Sequence, residues 1–489
     1  MTAIARPWPR PQGPLLARAV VPAALVGAAA VPALALRTGR VTVALGAALA
    51  GLFVLLVRFR AEVLVAAVIA MSVTTLTAGF PLGVEVAGFR LAVYDVLLVA
   101  AVVIALERPA PFHLGPLLPI AVAATAMGVV LGKVNGAAID VQVDEARSVA
   151  YLLAGLALSR YLTCDRLLQA GSRLVAGVLW VSLAVVLANL VVGVAIAASE
   201  GQAHLARGTS GAGSSAVEFG ATRYVTVTTH LALLVLAALL AYAALPGDRP
   251  VLRIHRGLLV ALLVPAAVLV VFSFSRNTVL GLVAALLFTL VATRSLRSYV
   301  DLAIRSVAAV ATLVLVSLLL FPAPTQEVAA TFAGRVLAGT SADALAIDSG
   351  VQFRQIESEL ALTSLRENPL VGIGFGTSYR PDLAQDPFPA DASDYARSYV
   401  HNWYLWLATK LGVIGAVPII AILVVALARS LVGTPSQVVL ASGLAAIVAV
   451  GVVWSTLREA GMALVIGLIA GCLSRPEPEG AISGHRSTT

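Results

Sequence analysis

The sequence predicts an all-α, polytopic integral membrane protein of about 14 spans with one large extracytoplasmic loop. Three observations carry this. Of the 489 residues, 60% are hydrophobic and only 12% charged, where a soluble chain of ordinary composition carries roughly a quarter charged residues. Apolar runs near the length needed to cross about 30 Å of hydrocarbon recur from end to end. The runs are continuous, whereas a β-barrel would show short alternating segments. The formal charge of +8 therefore belongs to cytoplasmic loops and not to a nucleic-acid face. No nucleic-acid partner is expected.

Taken in order, spans are expected at 16–36, 41–57, 62–78, 91–106, 114–132, 147–162, 174–197, 225–245, 257–275, 277–293, 299–321, 412–429, 436–454 and 459–473. The basic N-terminus leads into a run with no clear small-residue cleavage site, so that run reads as a retained first helix. Arginines set the orientation. Arg6, Arg10, Arg18, Arg58, Arg60, Arg108, Arg160, Arg166, Arg173, Arg249, Arg253, Arg256, Arg294 and Arg297 fall on one side when the N-terminus is cytoplasmic. Arg37 and Arg40 are the exception. This places four regions in sequence: N-terminal transmembrane helices over 1–321, an extracytoplasmic loop with short helices over 322–411, C-terminal transmembrane helices over 412–474 and a cytoplasmic tail over 475–489. Residues 199–224 are Gly/Ser-rich and read as a mobile outer loop. Cys164 and Cys472 are the only cysteines, too few for a disulfide framework or a metal site. Both fall at cytoplasmic ends, where thiols stay reduced.

The polar stretch from Arg354 to Gly415 is where chemistry can live. Arg354 is expected to open an amphipathic helix with Ile356, Leu360 and Leu365 on one face. Asn368-Pro369 ends it, because a residue before proline disfavours the α region. Gly372, Gly374 and Gly376 follow, and alternate glycines let backbone approach a ligand or another helix closely. A bare Gly-x-Gly-x-Gly is also an ordinary turn, and without a preceding strand it implies no nucleotide fold. His401 precedes Asn402-Trp403-Tyr404-Leu405-Trp406, an interfacial aromatic start to a helix. A neutral imidazole is well suited to take a proton from a hydroxyl, although a lone histidine there is more often structural. Arg276, in the turn Ser275-Arg276-Asn277 between two apolar helices, sits at or near hydrocarbon depth, where charge is costly and points to function. Its alternative is a snorkelling anchor. Arg223, before the eighth span, is a second membrane-surface cation or an ordinary anchor. Asp382, Asp386, Asp391 and Asp394 lack any defined metal geometry and read as a solvated loop. His204, His230 and Asp95 carry weaker signals.

At this point the residues resemble a known family. Asn368-Pro369-Leu370-Val371-Gly372-Ile373-Gly374-Phe375-Gly376, then His401-Asn402-Trp403-Tyr404-Leu405 with Gly412 and Gly415, resembles the O-antigen ligase and O-antigen polymerase superfamily. Its pattern is NPLxGxGxG followed by HNxYLxxLxxxGxxG. Arg354 sits at the family's spacing, and Ser275-Arg276 resembles its serine-arginine turn. Ser358 stands where the family often has tryptophan, and the family's Asn-Pro-Asn is not evident around 223–230. The resemblance implies a C-type membrane glycosyltransferase that moves a glycan from a polyprenyl-diphosphate carrier to a glycan or lipid-glycan acceptor outside the cytoplasmic membrane of a bacterium. It implies Arg276, Arg354, Arg223 and Asn402 as substrate-binding residues and His401 as general base, with inversion at the anomeric carbon. The first outer loop, Arg37 to Arg40, holds no carboxylate, so neither metal nor cofactor is expected. Two other readings stay open: a transporter of an anion or lipid-linked glycan, which would hold charge at the midplane on broken helices, and a catalytically silent scaffold.

Overall fold

The computed structural model describes residues 83–86, 89–106, 114–200, 217–218, 221–222, 227–245, 254–273, 275–297, 349–380 and 398–475, with isolated positions in 66–72 and 300–333. The spans expected at 16–36 and 41–57, most of 62–78 and most of 299–321 lie outside these residues, as does the tail beyond Arg475. So do Arg223, His204, Asp382, Asp386, Asp391 and Asp394.

Helices dominate the described residues. A hairpin of β1 (Gly83–Val86) and β2 (Phe89–Ala92) leads into α1 (Val93–Leu106). Then come α2 (Leu117–Val134), α3 (Ile139–Leu158) and α4 (Cys164–Glu200). A second hairpin pairs β3 (Val217–Glu218) with β4 (Ala221–Thr222), within the stretch expected to be an unstructured loop. It precedes α5 (Val227–Ala244), α6 (Arg256–Phe272) and α7 (Arg276–Thr293). After α8 (Ser349–Glu367) come α9 (Trp403–Ser430), α10 (Pro435–Val450) and α11 (Ala460–Leu473). Among the described residues, four helices are long and apolar enough to cross a membrane: α2, the first 25 residues of α4, α7 and α9. Four more apolar helices are shorter: Thr228–Ala244, Arg256–Phe272, Pro435–Val450 and Ala460–Leu473. Val130, Leu187, Val260, Leu287, Val291 and Val424 stand exposed on these helices. Apolar side chains facing outward all along a bundle mark a lipid-facing surface, and the chain is a membrane protein.

Local chemistry sets the helix ends. Thr434 and Gln437 form a capping box at α10, with Pro435 in the first turn. Asn402 caps α9, its Oδ1 accepting from the Tyr404 and Leu405 amides at 3.1 Å each.

Packing then orders the bundle. α11 is buried over most of its length and runs tightly against α3, where Gly155 and Gly467 lie against each other's backbones. Small residues at such a crossing let two membrane helices touch closely. α7 packs on α10, joined by a Thr289–Ser442 hydroxyl contact of 2.7 Å. Gly281 of α7 abuts Leu233 and Val450, so the starts of α5 and α7 meet the end of α10. The Trp403 amide donates to Gly451 O at 2.9 Å, which adds the start of α9 to the same end. At the far end, Arg475 donates to the Leu162 and Ser159 carbonyls and Arg429 to Ser474 O. Both free cysteines lie there, with Cys472 Sγ 3.2 Å from Leu162 O.

Candidate functional site

The glycine-rich stretch is a splice between helices. α8 stops at Glu367, and the chain then crosses α9 where α9 is broken at Gly412 (φ 62°, ψ −175°). A break costs helix hydrogen bonds, and here the turn replaces them. The Ile373 and Gly374 amides donate to Thr409 O and Lys410 O, each at 3.0 Å. In return the Val413 and Ile414 amides donate to Pro369 O at 2.9 Å and Leu370 O at 3.1 Å. Gly374 (φ +84°) also lies so close to α2 that a Cβ there would sit 2.2 Å from the Gly132 nitrogen. Gly372 and Gly376 also have positive φ. Asn368 closes α8, its amide donating to Ser364 O at 3.1 Å.

This splice fixes α8 beside the start of α9 and so brings Glu357 to His401. One carboxylate oxygen, Oε2, lies 2.9 Å from both the His401 amide nitrogen and Nδ1. The side chain of Glu357 is 1% exposed and that of His401 20%. A carboxylate at Nδ1 selects the tautomer that carries its proton there and leaves Nε2 as the proton acceptor. Three aromatic rings surround the imidazole: Tyr399 at 4.7 Å, Trp454 at 5.6 Å and Phe353 at 6.1 Å. Tyr379 donates its hydroxyl to Tyr399 O at 2.8 Å. Burial, reinforced by the Glu357 charge, holds this phenol above its usual range, so it stays a protonated donor. The buried face of α8 is Glu357, Ala361 and Ser364. The expected face of Ile356, Leu360 and Leu365 is only partly buried, because the polar side of α8 is the one that meets α9.

Residues 261–420 match the family model for O-antigen ligase. The match supports the O-antigen ligase and polymerase family for this chain, and that family implies ligase- or polymerase-type glycosyl transfer in general. No curated protein and no solved structure matches the chain. The matched segment runs from within α6 to the middle of α9. It carries Arg276, Arg354, Glu357, the glycine splice, His401 and Asn402.

Of these, the structure brings His401 and Arg354 to one place: the Arg354 guanidinium lies 5.9 Å from the centre of the Trp454 ring that also contacts His401. Arg276 opens α7 at the same end of the bundle and is half-buried. Asn402 commits its oxygen to capping α9, which leaves its amide nitrogen for another partner. Asp95 accepts from the Tyr151 hydroxyl at 2.7 Å and pairs with Arg147 at 3.1 Å, tying α1 to α3.

A charged cluster that reaches beyond the matched segment supports the same place. Glu145 on α3 is fully buried and pairs with the equally buried Lys410 at 3.0 Å and with Arg458 at 3.5 Å. It also accepts from Trp406 Nε1 at 3.3 Å and from the Gly376 amide. Lys410 donates to Thr377 O at 2.6 Å. Arg458 in turn lies 4.8 Å from the Tyr399 ring centre. Buried charges persist only when paired in this way. Lys410 had one legible signal, a lone charge inside an apolar helix. The Arg458-Glu459 turn between two spans had another. Glu145 and Glu357 had none, since each is explained only by a partner far along the chain. Among the described residues, no group of three His, Cys, Asp or Glu side chains could hold a metal ion.

Proposed function

We propose that the chain is a membrane glycosyltransferase that moves a glycan from a polyprenyl-diphosphate carrier to an acceptor hydroxyl, as an O-antigen or surface-polysaccharide polymerase or ligase. The single observation that carries this is the buried Glu357 carboxylate on His401 Nδ1, inside the segment that matches O-antigen ligase. A histidine oriented by a carboxylate is a general base in waiting.

In this reading the acceptor hydroxyl gives its proton to His401 Nε2 while its oxygen attacks the anomeric carbon. The bond from that carbon to the diphosphate oxygen breaks, and the polyprenyl diphosphate leaves with the electron pair. Attack opposite the departing group inverts the anomeric centre. Arg354 and Arg276 hold the diphosphate oxygens, where guanidinium forks match the geometry and stabilise the growing charge. Arg223 is a third cation for the carrier, and the Asn402 amide a donor to the substrate. The reaction needs no metal and runs on the extracytoplasmic face of a bacterial inner membrane, with residues 322–411 as the outer element between the helices of 1–321 and those of 412–474.

The test is transfer in reconstituted vesicles with a polyprenyl-diphosphate oligosaccharide and EDTA present. Wild type is expected to transfer, and His401→Ala to lose about 10³-fold in rate while eluting as the same folded species. Product length then separates polymerase from ligase. Equal transfer by both proteins would remove His401 from the mechanism. Flux of the intact carrier without transfer would make the chain a transporter.

A further inference from the structure

Beyond the segment that matches the family, a second histidine–carboxylate pair faces the same tryptophan. His230 Nδ1, at the start of α5, lies 3.2 Å from Glu459 Oε2, and the His230 ring centre is 6.4 Å from that of Trp454. Trp454 therefore stands between His401 at 5.6 Å and His230, with Arg354 at 5.9 Å. Glu459 occupies the N-cap position of α11 but makes no side-chain cap bond, and turns to His230 instead. Its side chain is 28% exposed, whereas those of Glu145 and Glu357 are 0% and 1% exposed. Of the three carboxylates around this aromatic cluster, it is the one a ligand can reach.

We propose that Trp454, Glu459 and His230 form the subsite for the acceptor sugar, beside the base. This rests on the glycosyl-transfer reading above and adds to it which residues hold the acceptor. The chemistry of the three groups fits a pyranose. An indole offers a flat apolar face to the C–H side of a sugar ring. A carboxylate accepts from two neighbouring hydroxyls, and the buried His230, its side chain 6% exposed, holds that carboxylate in place. A carboxylate beside the ring also repels a diphosphate, which leaves the carrier to the Arg354 side. His401 is close enough to Trp454 that a hydroxyl of a sugar lying on the indole falls within reach of Nε2.

The test varies the acceptor at fixed donor in the reconstituted system. The donor is the host's lipid-linked oligosaccharide, and the acceptor is the same oligosaccharide released from lipid by mild acid. Glu459→Gln keeps the shape but halves the accepting capacity. It is expected to raise the acceptor KM about tenfold, because a site built to bind hydroxyls discriminates through those bonds. The donor KM should stay within about twofold of wild type. Trp454→Leu should shift the same constant in the same direction. If the two variants instead lower the apparent Tm and depress all constants together, the pair is a structural tie between α5 and the α10–α11 link, and the subsite is overturned. Unchanged acceptor KM with active wild type overturns the subsite alone. Absence of transfer by wild type to this acceptor and to a lipid-glycan acceptor alike overturns the glycosyl-transfer reading, and the subsite falls with it.

Discussion

At the end of the bundle that holds Cys472, arginine acts as a helix cap. Arg475 and Arg429 donate to the carbonyls of Ser159, Leu162 and Ser474, where helix termini leave acceptors unused and the helix dipole favours a cation. At the end that holds His401, arginine lies on rings. Arg354 sits over Trp454, Arg380 over Phe353 at 5.1 Å, and Arg458 over Tyr399 and Trp406. Capping uses the N–H donors of the fork on carbonyls that are always present. A guanidinium over a ring gains a cation–π attraction and keeps its N–H donors for other partners. The first arrangement satisfies helix carbonyls, whereas in the second Arg458 pairs with the buried Glu145 and the cations lie against the aromatic cluster. The carboxylates divide in the same way. Glu145, Glu357 and Glu459 all gather at the His401 end.

The splice brings the His401 end together. Gly374→Ala places a methyl 2.2 Å from the Gly132 nitrogen at a φ of +84°, so both strain and overlap with backbone oppose it. The expected cost is about 3 kcal/mol or more. In detergent the variant should show a clearly lower apparent Tm, and His401 should lose its register with Glu357, so that transfer falls as well. Wild-type Tm with wild-type transfer would mean that the splice does not hold the site together.

Glu357→Gln sharpens the same contrast without touching the splice. The amide keeps the size of the carboxylate but can present its NH₂ to Nδ1, which favours the wrong imidazole tautomer. The rate constant kcat should fall about 10²-fold. Both substrate KM values should stay within about threefold, because Glu357 is buried and orients the base without meeting substrate. A rise in KM at constant kcat would instead make Glu357 a binding residue and remove the orienting role.

How much of this was legible follows from where each residue finds its partner. The apolar middles of the helices were readable: 277–293 and 459–473 lie within one residue of Arg276–Thr293 and Ala460–Leu473. Where charge enters a helix, the reading stopped short. The aromatic stretch after His401 read as a helix start and the membrane span was expected from 412; α9 begins at Trp403 and breaks at Gly412, so the part that holds Lys410 was left out of the span. α3 was expected from 147 but begins at Ile139, because Asp140, Asp144, Glu145 and Arg147 depress its hydropathy. The two shortfalls answer one another, since Lys410 is buried by pairing with Glu145. Hydropathy scores each charge as if it met lipid alone. In the site, the His401 and glycine motifs could be found because they are local patterns. His230 stayed a weak signal because Glu459 lies 229 positions away.

The smallest effect is expected at the far end of the bundle. Arg475→Gln removes a charge-assisted cap at the far end. Its donors reach the Leu162 carbonyl at 3.3 Å and that of Ser159, and Arg475 is only partly buried. Water and headgroups can satisfy those carbonyls once the guanidinium is gone, so the loss should be about 1 kcal/mol. A glutamine amide can still reach one of the two acceptors, which makes the loss smaller than for an apolar replacement. The apparent Tm should fall slightly, while transfer rate and both KM values match wild type. A loss of transfer comparable to that of Glu357→Gln would mean that the two ends are coupled through α3 and α11, the tightly packed pair that spans the distance between them. The division into a capping end and a binding end would then fail.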